Sequence, residues 1–230
     1  MSARAWARAA AVLGLGVLAL FAAFALLPEA RAAAECLPPN AVVRFELARN
    51  HADLLAIFGE AGGACRALSI AAMDAVNRLD TAAFIPNYTA FLIAGALYLS
   101  DGEVGRPLTV AAIAAAVLAA AGDYLETTSL LAMTQILDAP GDLLVRAQFG
   151  AWSKFALLAA HAVFCAGLCF VGERRRLILG VLLMAPAFGV AAAAFDQHAF
   201  IGVLNGGFAV AWFALLAIAF RVALAQCAAG

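Results

Sequence analysis

Residues 108–131 read LTVAAIAAAVLAAAGDYLETTSLL, and the reading of this stretch decides the fold. Residues 108–122 carry no charge, and alanine, leucine, valine and isoleucine fill almost all of them. A helix needs about 20 mostly apolar residues to cross the hydrocarbon core of a bilayer. The run therefore predicts a membrane helix, with Asp123 and Glu126 where it is still dry or just emerging. Three residues apart, the two acids share one helix face.

Composition points the same way. The chain has 230 residues, of which 66% are hydrophobic and 13% charged. A water-soluble domain is about half apolar and a quarter charged, and half the usual charge does not cover a globule in water. Lipid is the solvent for most of this surface. A net charge of −1 supplies no basic patch, which excludes nucleic acid as a partner. Glycine-rich phosphate loops, HExxH, GxSxG and CxxC are missing, so no catalytic class and no cofactor is indicated. His51 and His198 fall outside the apolar runs, so paired haem ligands on facing helices are missing too.

Apolar runs predict six spans, at about residues 9–27, 82–99, 108–127, 149–171, 177–195 and 200–220. The expected fold is all-α: one polytopic membrane domain of six transmembrane helices. The first run reads as a retained anchor, with signal-peptide cleavage at the ARAAA of residues 30–34 as the alternative. Arg4 and Arg8, Arg106, Arg174 to Arg176, and Arg221 all fall on one side of an alternating six-helix chain. The positive-inside rule makes that side the cytoplasm and places both termini there. The expected location is a bacterial cytoplasmic (inner) membrane.

Residues 28–80 are then an extracytoplasmic helical subdomain between the first two spans. In VRFELARNHADLLAIFGE, residues 43–60, Val43, Leu47, Leu54, Leu55 and Phe58 make one apolar face of a short helix. Gly62 and Gly63 end it, and a second helix starts near Cys65 and enters the second span, with a kink near Pro86. Cys36 and Cys65 share an exported loop and are disulfide candidates, with two unpaired thiols as the alternative. The TTSLLAMTQIL stretch is expected to project beyond the third span and pack on the 43–60 helix.

Helix rise turns sequence position into depth. At 1.5 Å per residue, Glu126 lies roughly 28 Å from the helix start near Pro107, and Lys154 roughly 27 Å from the helix end near Gly172. Asp80 lies roughly 28 Å from Leu99, and Asp196 reaches a similar height. These groups share one level near the outer edge of the membrane. Lys154 is the only lysine of the chain, and its expected partner is the acidic pair Asp123 and Glu126. Asn87, its neighbour Tyr88, and His161 fall near mid-bilayer, either as interhelical hydrogen-bonding groups or as part of a transport path. His161, Cys165 and Cys169 form a stripe, but no second Cys/His cluster completes a metal site, and no metal is expected. Ala112, Ala116 and Ala120 offer a small-residue face for close helix packing.

The strings RFELARNHADLLAIFG, LDTAAFIPNYTAFL, GDYLETTSLL and WSKFALL, in that order, resemble a family of bacterial multi-pass membrane proteins with no assigned activity. The likeness spans roughly residues 10–170. It departs from the pattern at Thr127, where asparagine is expected after the glutamate. The resemblance implies the fold and no function. Three functions stay open. The first is binding or translocation of a lipid or a small hydrophobic or amphiphilic solute at the outer-leaflet polar level. The second is a structural or assembly subunit clamped by ion pairs. The third is an intramembrane lipid-modifying enzyme with a carboxylate base assisted by His161.

Overall fold

The computed structural model describes residues 2–100, 103, 105–172 and 176–225. Arg174 and Arg175, two of the cations used above for orientation, lie outside the described residues. Every regular element described is helical, and no strand occurs among the described residues. In chain order the helices are α1 (Ala3–Leu26), α2 (Pro28–Ala32), α3 (Ala41–Glu46), α4 (His51–Phe58), α5 (Arg66–Leu79), α6 (Ile85–Leu99), α7 (Arg106–Met133), α8 (Asp142–Val171), α9 (Leu177–Leu183), α10 (Ala185–Phe195) and α11 (Gln197–Leu224). A π-helical turn, Asp80–Phe84, joins α5 to α6. Six helical segments among the described residues are long and apolar enough to cross a membrane: Ala3–Leu26, Arg66–Leu99, Arg106–Met133, Asp142–Val171, Leu177–Phe195 and Gln197–Leu224.

Several spans outrun the apolar runs because helix does not stop where hydropathy does. The second begins at Arg66, since α5 is amphipathic and buries Ser69, Asp74 and Asn77 beside Ala72, Met73 and Val76. Pro86 has no N–H to give and its ring crowds the carbonyl four residues back. The wider Asp80–Phe84 turn accommodates it just upstream. The fifth span breaks at Met184 instead of running straight, with Pro186 in the first turn of α10.

The chain divides into two compact units, and α1, α6, α7 and α8 give residues to both. One unit contains residues 1–18, 87–119 and 155–230. Here α10 and α11 pack with almost no side-chain thickness between them. A Cβ on Gly189 would sit 3.0 Å from the Leu204 Cα, and one on Gly207 2.7 Å from the Ala185 carbonyl. Asp196 caps α11, its Oδ1 accepting from the amides of His198 and Ala199. That local task accounts for an acid that depth alone grouped with the charged level.

The second unit contains residues 19–86 and 120–154. The 43–60 stretch is two helices rather than one. Asn50 is extended and its side chain accepts from the Asp53 amide, while the Asp53 carboxylate accepts from the Arg49 amide. This reciprocal cap starts α4, after α3 has ended at Glu46. Phe45, Leu54, Ile57 and Phe58 form a core with Met73, Leu130, Met133 and Leu137. The end of α7 thus packs on α3 and α4. Cys36 and Cys65 are joined by a disulfide.

Candidate functional site

The second unit holds a buried charged cluster, and its geometry begins with two glycines. A Cβ on Gly150 would fall 2.6 Å from the Glu126 amide nitrogen and 2.7 Å from the Gly122 carbonyl oxygen. One on Gly122 would fall 3.1 Å from the Lys154 amide nitrogen. With neither side chain present, the α7 and α8 backbones touch here. Asp123 and Glu126 follow Gly122 on α7, and Lys154 lies one turn beyond Gly150 on α8. The crossing therefore brings the three charged side chains together.

Lys154 Nζ lies 2.7 Å from Glu126 Oε2 and 3.2 Å from Asp123 Oδ1. A third carboxylate, Glu46 Oε1, also stands 3.2 Å away. Glu126 is 1% exposed, Asp123 3% and Lys154 6%. Asp80, at the start of the π turn, is within electrostatic reach of Asp123, Lys154 and Glu46, and its carboxylate accepts from the Thr127 hydroxyl at 3.1 Å. Three carboxyls thus contact one ammonium, with a fourth within electrostatic reach. Asparagine, expected at 127, would offer an amide; threonine offers a hydroxyl of matching use.

Glu126 is less well satisfied than its short contact suggests. Its Oε2 is close to Nζ, but neither carboxylate oxygen has a well-directed hydrogen bond among the described residues. The Glu46 carboxyl also lies close to that of Glu126. Two carboxylates only accept, so that contact becomes a bond when one of them carries a proton. Glu46, on α3, has its carboxyl raised above the ordinary value by burial and by Asp123, against the pull of Lys154.

Glu46 is the member that sequence reasoning left out of the site. It falls at a polar position between the apolar residues of the 43–60 stretch, where helical spacing alone turns it away from the apolar face. A charged residue flanked by Phe45 and Leu47, both buried, is the signal that points it inward. Gln148, whose side chain donates to the Ala48 carbonyl at 2.9 Å, ties α8 to the chain just after Glu46.

The mid-bilayer candidates belong to the other unit. Asn87 Nδ2 donates to the Leu13 carbonyl on α1 at 3.0 Å, and Tyr88 stacks on Trp212. His161 Nδ1 lies 3.0 Å from the Ala112 carbonyl on α7, and Nε2 lies 3.5 Å from Cys165 Sγ. Asn87 and His161 each secure a different helix pair. Among the described residues no group of three or more His, Cys, Asp or Glu is placed to hold a metal ion. At the charged cluster the lysine ammonium occupies the position that the carboxylates face.

Comparison with protein-family models, with curated proteins and with solved structures finds no match. The class that the fold defines is an all-helical protein whose six long apolar helices fit a multi-pass membrane protein. Its distinguishing feature is the buried Glu46–Asp123–Glu126–Lys154 cluster.

Proposed function

We propose that this chain is a bacterial inner-membrane protein that binds or moves a lipid or small solute at the polar site around Lys154, with proton uptake by the carboxyls. Both termini are cytoplasmic in this reading and residues 28–80 form an extracytoplasmic helical subdomain. The observation that carries it is the excess of acid: Glu46, Asp80, Asp123 and Glu126 against a single ammonium. An ion pair that only fixes helix register needs one acid. Three more raise the desolvation penalty and repel one another, and an ionisable group within a membrane is a functional candidate by default. Fully ionised, the cluster has three uncompensated negative charges, so it takes up protons or cationic groups.

The test is lipid co-purification and solute uptake by a Lys154→Ala protein that still folds. Loss of both supports the reading, and wild-type behaviour overturns it. A purely structural clamp is the second reading, favoured by the closeness of Gly150 to the Glu126 backbone. Stability and all function restored by Glu126→Lys combined with Lys154→Glu would select the clamp.

A further inference from the structure

Arg66, Ser69, Met73, Asn77 and Asp80 recur at intervals of three and four, which stacks them along one face of α5 and the following turn. That face runs antiparallel to α7 and the turn after it. Asp80 meets Thr127, Asp74 beside the stripe meets Thr134 at 2.7 Å, and Arg66 meets Asp138. Between these paired contacts sit two polar atoms with no hydrogen-bond partner among the described residues, Ser69 Oγ and Asn77 Nδ2. Ser69 is 0% exposed and Asn77 5%. Buried polar side chains almost always bond to protein or to ordered water.

We propose that this seam is hydrated: Ser69 and Asn77 hold ordered water, and that water carries protons between the Arg66–Asp138 end and the acidic cluster. The two orphan atoms do not stand alone. Asn77 is one turn from Asp80, whose carboxylate meets Thr127, the neighbour of Glu126 on α7. Met73, the only apolar member of the stripe, packs into the core of the second unit, and the Asp74–Thr134 bond lies one residue along from it. Water suits these partners because Ser69 Oγ needs a donor or an acceptor and Asn77 Nδ2 needs an acceptor. The proton route rests on the proton-exchanging reading of the cluster; the hydration does not.

Radiolytic hydroxyl labelling of the protein in nanodiscs prepared in heavy-oxygen water tests the hydration at Met73. Label at this buried methionine, reduced several-fold in Asn77→Leu, is the expected result; an unlabelled Met73 in folded wild type overturns the proposal. Stability gives an independent sign. If water satisfies the two groups, Ser69→Ala and Asn77→Leu each lower Tm by about 2–4 °C. If they are dry orphans, removing them leaves Tm unchanged or higher, which also overturns it. Infrared difference spectra after a pH jump test the route. Slower carboxyl protonation in Asn77→Leu supports it, and an unchanged rate overturns it. A cluster with no titrating carboxyl in any variant instead defeats the proposed function, and the Met73 label still decides hydration.

Discussion

Replacing Lys154 by methionine keeps the length of the side chain and removes its charge. The ammonium has three carboxyls within 3.2 Å, and the substitution strands all of them in a buried site. Removing one partner of a buried ion pair costs about 3–5 kcal/mol. For a chain of this length each kcal/mol moves Tm by about 2–4 °C, so Lys154→Met should lower Tm by about 6–20 °C. The deficit has a sign in pH. Protonating the stranded carboxyls removes their repulsion, so the gap to wild type narrows as pH falls and widens as pH rises. Tryptophan-fluorescence melts in detergent across a pH series read both quantities. Adding Glu126→Gln to Lys154→Met should recover part of the loss, because it removes the most buried of the uncompensated acids. An unchanged Tm, or a deficit constant with pH, would refute a charge-balanced cluster.

Three further expectations follow from other parts of the molecule. The Glu46 carboxyl is raised above its ordinary 4.5 by burial; such an acid contributes stability that is full below the unfolded value and lost as pH rises through the folded one. Its surroundings are Lys154 on α8, Asp123 and Glu126 on α7, and Asp80 on the π turn. Glu46→Gln should therefore flatten the decline of Tm with rising pH, and a curve parallel to wild type would contradict this assignment. Gly150→Ala puts a methyl 2.6 Å from a backbone nitrogen, an overpacking that costs about 1–3 kcal/mol; denaturant melts should show it, and serine should be no better. Reducing the Cys36–Cys65 bond, which closes a sequence separation of 29, should lower stability by about 2–4 kcal/mol, measured by melts with and without reductant.

The six long helices and the meeting of Lys154 with Asp123 and Glu126 were legible because both follow from local arithmetic. Apolar length gives a span, and a fixed rise per residue gives height along neighbouring helices. Glu46 was not legible in this way. It lies off the long helices, on six-residue α3, and reaches the cluster through tertiary packing that no periodicity records. The break at Asn50 was hidden because apolar residues on both sides keep one helical spacing, while a cap made by Asn50 and Asp53 overrides it. Gly122 and Gly150 were present in the strings GDY and FGAW, but helix contact depends on the pairing of two glycines 28 positions apart. A single sequence shows each of them only as a small residue.

Having only one lysine gives the protein a built-in reporter. Lys154 carries the only side-chain amine of the chain, and it is shut away at 6% exposure. Amine-directed reagents therefore find no surface lysine to compete for them. Acylation of this one side chain counts the openings of the charged cluster directly, in the native sequence and without an engineered label.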